Sequence, residues 1–97
     1  MATIFSIPAK RDLLEIWVYI AEDNMDAADA TERRIRGLCD KLATSPGMGK
    51  PRPDLGTDIR MFGVGNYMIY YRPSNNGVEI LRVAHGSRDA LRLFRLR

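Results

Sequence analysis

The residues best equipped for chemistry lie in the C-terminal part of the chain: Arg60, Arg82 and His85, followed by Arg88, Arg92 and Arg95. His85 is the only histidine, so a general acid–base step near neutral pH would fall to it. Its other reading is a strand-end histidine that hydrogen-bonds the next turn. Ser87 stands only two residues away and no strained serine turn is visible, so no Ser-His-Asp triad can be assigned. Cys39 is the only cysteine, which excludes an internal disulfide and any zinc site resting on cysteines. It reads as a small core residue on a helix. The spacing of Asp and Glu suggests no metal site, and no cofactor is expected. Two glycine motifs fail as phosphate loops. Gly49-Lys50 has Thr44 where the first glycine belongs and Pro51 where a Ser or Thr belongs. Gly63-Val64-Gly65 has Met68 in place of its third glycine and joins two strands.

The arginines therefore matter most. Arg82 falls on an apolar strand, where a charge must be paired or must line a functional surface. Glu79 and Asp89 are its candidate partners. Arg88, Arg92 and Arg95 recur at i, i+4 and i+7 and make one basic face, opposite Leu91 and Phe94. That face is either simply solvated or a docking surface for an acidic protein or a phosphate backbone. From Arg60 onward seven arginines stand against two acidic residues, a net charge of +5, while the first 59 residues carry −2. Arginine forks match carboxylates and phosphates.

The elements that hold these residues follow from hydrophobic period. Thr3 to Ile7 is a short first strand. Pro8 suits the first turn of a helix from Ala9 to about Asp23, with Leu13, Ile16, Trp17 and Ile20 on one face. Asn24 or Asp26 caps a second helix that runs to about Thr44, where Pro46 stops it. Its apolar stripe is Ala28, Ile35, Leu38, Cys39 and Leu42. Glu32, Arg33, Arg36 and Asp40 face water. The two helices are joined tightly and must fold back as a hairpin.

Ser45 to Thr57 is a Pro- and Gly-rich loop. Three strands follow: Asp58 to Val64, Tyr67 to Arg72 and Val78 to His85. Gly65-Asn66 is a hairpin turn, and Asn75-Asn76-Gly77 marks the next. The last strand is apolar on both faces (Val78, Ile80 and Ala84; Leu81 and Val83), which makes it central. The first strand can add beside it. Ser87 caps a short last helix that buries Leu91 and Phe94. The expected fold is α+β and two-layered, with a helical hairpin packed on a sheet. Strand, helical hairpin, three-stranded antiparallel meander and short C-terminal helix form one domain over 1–97.

The composition, 45% hydrophobic and 28% charged, is that of a globular chain and excludes a disordered one. No run of about 18 apolar residues could span a membrane. The N-terminus lacks the basic start and apolar stretch of a signal peptide. A cytoplasmic protein is expected.

Several stretches together resemble a known family. They are Leu13 to Ala21, Pro46-Gly47-Met48-Gly49-Lys50-Pro51-Arg52, Arg60 with Phe62, Tyr67-Met68-Ile69-Tyr70-Tyr71-Arg72, and Ile80 to Asp89 ending in His85-Gly86-Ser87-Arg88-Asp89. In this order they are similar to ParE toxins of the ParE/RelE superfamily, over nearly the whole chain. The resemblance implies a RelE/ParE-like fold and a toxin of a type II toxin–antitoxin module. It implies a cognate antitoxin, of the ribbon-helix-helix DNA-binding type, wrapped around the helix pair and sheet. Trp17, Ile20, Ile35 and Leu38 are the candidate antitoxin contacts.

The ParE branch implies inhibition of DNA gyrase by binding, with DNA met only through the antitoxin or gyrase. Arg82, His85, Arg88, Arg92 and Arg95 would be the target surface. The RelE branch implies ribosome-dependent cleavage of messenger RNA, for which Arg60, Arg82 and His85 could supply base and cations. Against it, no tyrosine follows Tyr71 and Gly86 follows His85. The low net charge of +3 also suits a ribosome-docking protein poorly. Gyrase inhibition without catalysis is therefore the favoured expectation, with the nuclease and a non-toxic antitoxin-binding module as alternatives.

Overall fold

The computed structural model describes residues 2–95. Strand β1 (Ala2–Phe5) leads into helix α1 (Ile7–Ala21), then α2 (Met25–Thr44), β2 (Lys50–Pro51), β3 (Arg60–Val64), β4 (Tyr67–Ser74), β5 (Gly77–His85) and α3 (Ala90–Arg95). The sheet order is β1-β5-β4-β3-β2; β1 runs parallel to β5, and the other pairs are antiparallel. The expected meander, hairpin and central β5 are all present.

Local chemistry explains where the boundaries differ from expectation. Helix α1 starts at Ile7, ahead of the expected Ala9, because the Ser6 hydroxyl accepts the Ala9 N–H at 3.1 Å and caps the first turn. Asn24 caps α2 in the same way, accepting the Ala27 N–H at 3.0 Å. Strand β3 begins at Arg60 and not at Asp58, since Asp58 adopts φ +61° and breaks the extended run. The expected loop Ser45–Thr57 contains a 3-10 turn at Pro46–Met48 and the short edge strand β2. The two-residue Gly65-Asn66 turn closes as expected, with Gly65 at φ +59°.

The turn after α2 is fixed by one buried hydroxyl. Tyr71 is fully buried; its OH donates to the Pro46 carbonyl at 2.6 Å and accepts the Gly49 N–H at 2.8 Å. Arg60 adds a bond from Nη1 to the Gly49 carbonyl at 2.6 Å. Tyr71→Phe strips the two backbone groups of their partner, so urea denaturation should register a loss of about 2 kcal/mol. A loss below about 0.5 kcal/mol would mean that water replaces the hydroxyl.

Two cores flank the sheet. Between helices and sheet lie Leu13, Ile35, Cys39, Leu42, Ile69, Tyr71, Val78, Ile80 and Val83. On the opposite face Ile59, Tyr70, Leu81 and Ala84 pack against Ala90, Leu93 and Phe94 of α3, with Phe94 edge-on to Tyr70 at 5.6 Å. This second core adds a small layer beyond the expected two. It also explains why β5 is apolar on both faces. The faces are not those of strict alternation, however: Val83 joins Val78 and Ile80, while Ala84 joins Leu81. A bulge is the cause. Tyr70 pairs with Arg82 but Tyr71 pairs with Ile80, leaving one extra residue in β5 and resetting the period after it.

Cys39 is the core residue the sequence suggested, with no exposed surface. Burial, with a smaller push from Asp40, raises its thiol from 9.0 to about 12. The folded state therefore holds this proton more tightly than the unfolded chain. Its contribution is present below pH 9 and is lost as pH rises from about 9 towards 12, by up to about 1.4 kcal/mol per pH unit. Iodoacetamide at pH 8 should label the unfolded chain readily and the native chain at least a hundredfold more slowly. Labelling at equal rates would contradict the burial.

Candidate binding surface along the open edge of β5

Strand β1 ends where Phe5 meets Ile80, so among the described residues the outer edge of β5 beyond Ile80 has no strand beside it. Side chains of the α1 start take over the ladder. Ser6 Oγ donates to the Leu81 carbonyl at 2.9 Å, and Asp12 Oδ2 accepts the Val83 N–H at 2.9 Å. The bulge turns Arg82 sideways into this gap. Its Nε and Nη2 donate to the two carboxylate oxygens of Asp12 at 2.7 and 2.9 Å, and its Nη1 donates to the Leu93 carbonyl of α3 at 3.0 Å. The hydrogen bonds to Asp12 raise the Arg82 pKa further above its ordinary value, outweighing burial.

One arginine thus joins α1, β5 and α3. The expected partners Glu79 and Asp89 are both corrected: Glu79 pairs with Arg72 at 2.9 Å, and Asp89 accepts the Leu91 N–H at 3.0 Å. Asp12, the only buried charged residue among those described, was missed in sequence. A polar residue one place before Leu13 on the helix's apolar face was the available signal.

Past the bulge the strand ends in the turn the sequence anticipated. The Ser87 N–H donates to His85 Nδ1 at 3.1 Å, and the Ser87 hydroxyl lies 2.8 Å from the same nitrogen. Nδ1 is an acceptor, so the neutral ring carries its proton on Nε2. Tyr67 stands edge-on to the ring at 5.7 Å. Asp89, not Ser87, caps α3, because the helix starts only at Ala90 and the Asp89 carboxylate accepts the Leu91 N–H. Leu91 is also corrected: it is 45% exposed. Four residues before Arg95 on α3, it shares that exposed side, and Ala90, Leu93 and Phe94 are the buried residues.

Two clefts meet at Ser87 and Arg88. One, of about 440 Å³, is lined by Arg82, Ser87, Arg88, Asp89, Arg92 and Leu93. The other, of about 400 Å³, lies between α1 and the strand end and includes Glu15, Tyr19, Tyr67, His85 and Arg88. Arg88, Arg92 and Arg95 are all exposed, but the single helical face expected of them is corrected: α3 begins at Ala90, so Arg88 stands in the turn before it and only Arg92 and Arg95 lie on the helix. Arg82 is not free to join them: its guanidinium is committed to Asp12 and Leu93. Arg97 lies outside the described residues.

The nuclease trio is not assembled. Arg60 sits opposite Tyr71, whereas His85 sits opposite Tyr67 at the far end of the same sheet. Four strand positions at roughly 3.3 Å each separate their rows. Of the suggested antitoxin contacts, Trp17, Ile20 and Leu38 are half-buried and reach the surface. Ile35 is 1% exposed and packs inside the core, which corrects its assignment as a contact. It sits where the α2 stripe faces the sheet. Trp17 Nε1 donates to Asp29 at 2.8 Å, so its ring bridges the two helices.

The architecture matches that of a chain from the "Chromosomal ParDE TA system from P. aeruginosa", with a TM-score of 0.72, 19% sequence identity, and coverage of 88% of this chain and 95% of that one. The class is therefore the RelE/ParE-like α+β fold. The sequence narrows it further. The family model for the ParE toxin of the type II toxin–antitoxin system, parDE, matches residues 3–90. The chain is 34% identical over 84 residues to Toxin ParE1 of Caulobacter vibrioides, covering 84% of this chain and 85% of that protein. It is 38% identical over 81 residues to Putative toxin Y4kP of Sinorhizobium fredii, covering 84% and 83%. The chain belongs to the ParE toxin family of type II toxin–antitoxin systems.

Proposed function

We propose that this toxin acts by binding and not by catalysis, that its target is DNA gyrase, and that a cognate antitoxin of the ribbon-helix-helix type silences it in the cytoplasm. The observation that carries the reading is the division of labour among the arginines. Arg60 and Arg82 are spent on a backbone carbonyl and a carboxylate, so two of the three groups that RNA cleavage would need are occupied. Arg88, Arg92 and Arg95 face outward beside clefts suited to a protein or phosphate surface. No helix among the described residues is long and apolar enough to cross a membrane.

The antitoxin reading draws on α1. Ile7, Leu14, Val18 and Tyr19 are 69, 62, 47 and 75% exposed, next to half-buried Trp17 and Ile20. So much apolar surface on one helix suits a protein cover. A supercoiling assay tests the target: the purified chain should inhibit gyrase and trap cleaved DNA. Arg88→Glu with Arg92→Glu should weaken inhibition at least tenfold and leave the melting temperature within about 2 °C, because neither side chain has an ion pair among the described residues. Full gyrase activity at saturating toxin, with messages cut in translating extracts, would replace this reading with the nuclease.

A further inference from the structure

The turn between β4 and β5 carries the only Asn-Gly step in the chain, Asn76-Gly77. Asn75 and Asn76 form the tip of this hairpin, and both are exposed. Asparagine often serves a turn by tolerating positive φ. Among the described non-glycine residues only Asp58 has a positive φ, so this turn makes no such demand on Asn76. The Asn76 side chain has no hydrogen-bond partner among the described residues. Gly77 is the fixed member of the pair. It adopts φ +149°, and a Cβ on it would overlap the backbone of Ala2 in β1. The glycine is therefore imposed by β1, and it stands behind an asparagine whose amide is free to move.

That combination has a known reactivity. A backbone amide that follows asparagine can lose its proton to hydroxide and attack the side-chain Cγ. The N–Cγ bond forms, the Cγ–NH₂ bond breaks, and the side-chain nitrogen leaves as ammonia with a proton returned by water. Glycine favours the step because no Cβ crowds the attacking nitrogen. Water then opens the five-membered imide. Opening at Cγ gives a normal chain with Asp at 76. Opening at the former main-chain carbonyl gives isoaspartate: the chain now runs through Cβ and Cγ, and the old carbonyl carbon becomes a free carboxylate. The other three asparagines are worse placed. Asn24 is held as the α2 cap, and Asn66 and Asn75 precede Tyr67 and Asn76, whose side chains hinder the attack.

We infer that Asn76-Gly77 is a site of spontaneous deamidation, and that its isoaspartyl product releases β1 from the sheet. The carbonyl at stake is the one β1 uses. The Ala2 N–H donates to the Asn76 carbonyl at 2.6 Å, and Ala2 lies against Gly77 at the start of the parallel ladder. In the isoaspartyl chain that acceptor leaves the main chain, and one extra backbone atom shifts Gly77 relative to Ala2. Strand β1 has only four residues and sits at the sheet edge, so losing its first rung loosens the rest. Helix α1 stays in place, because Ser6 and Asp12 hold it to β5 beyond Ile80. The product is a chain with its toxin face intact and the Gly77–Ile80 edge of β5 opened. The reaction needs only water and holds whichever target the toxin poisons.

The test incubates the folded full chain at mildly alkaline pH and follows it by peptide mapping, with an isoaspartyl methyltransferase and labelled methyl donor as the probe for isoaspartate. Asn76 should gain one mass unit at least tenfold faster than any other asparagine, and the methyl label should map to it. Hydrogen exchange of the modified fraction should be at least tenfold faster at Ala2 to Phe5 and unchanged in the β3–β4 hairpin. Asn76→Gln, whose longer side chain closes a ring far more slowly, should come through the same incubation unmodified and keep β1 protected. Asn76→Asp supplies the charge without the extra backbone atom and should also keep β1 protected. An intact Asn76 once the urea-unfolded chain is fully converted, modification spread evenly over the asparagines, unchanged exchange at β1 in the isoaspartyl chain, or loss of β1 protection in Asn76→Asp would each overturn the proposal.

Discussion

Asp12→Ala should lower the melting temperature by roughly 12–24 °C, the largest effect expected of a single substitution in this chain. The carboxylate has three obligations: two N–H groups of Arg82 and the backbone N–H of Val83. Its side chain is 9% exposed and that of Arg82 is 18%, so water cannot readily substitute. Removing one partner leaves a guanidinium and an amide without acceptors, and such losses cost about 3 kcal/mol. In a domain of this size each kcal/mol moves the midpoint by about 4–8 °C.

Arg82→Ala should cost nearly as much, because it also releases the Leu93 carbonyl and with it α3. Arg36→Ala is the control. Arg36 pairs with Glu32 at 3.1 Å on the α2 surface and lies over the Phe5 ring at 5.1 Å. An exposed pair and a cation–π contact together are worth about 1 kcal/mol. Equal melting temperatures for the Asp12 and Arg36 variants would show that the triple junction is not what holds α1 to β5.

Gly77→Ala should detach β1, at a cost of at least about 2 kcal/mol. Gly77 adopts φ +149°, which L residues rarely occupy. A Cβ there would overlap the Ala2 carbonyl oxygen, against which Gly77 pairs in the parallel ladder. Backbone cannot yield as a side-chain tip can, so β1 must move away. Hydrogen exchange should then speed up at Ala2 to Phe5 while the β3–β4 hairpin keeps its protection. Gly65→Ala is the contrast. At φ +59° with only the flexible Arg34 guanidinium nearby, alanine should cost about 1 kcal/mol and leave the sheet whole. Unchanged exchange at β1 in Gly77→Ala would refute the close approach.

The sequence by itself determined what depends on neighbours along the chain. The 3.6-residue stripes of α1 and α2, the Asn24 cap, the Gly65-Asn66 turn and the His85–Ser87 contact are local, and each was legible. The doubly apolar β5 was legible as an inner strand, although the layer of α3 on its second face was not foreseen. The tertiary structure decided what depends on distance in space. No local rule pairs Arg82 with Asp12, seventy residues earlier, because the pairing exists only where α1 crosses the edge that β1 leaves open. No pattern marks the bulge that moves Val83 and Ala84 to opposite faces from those expected. Burial of Ile35 and exposure of Leu91 likewise follow from which side of a helix meets a partner layer. Periodicity sets the spacing of side chains, but packing chooses the side.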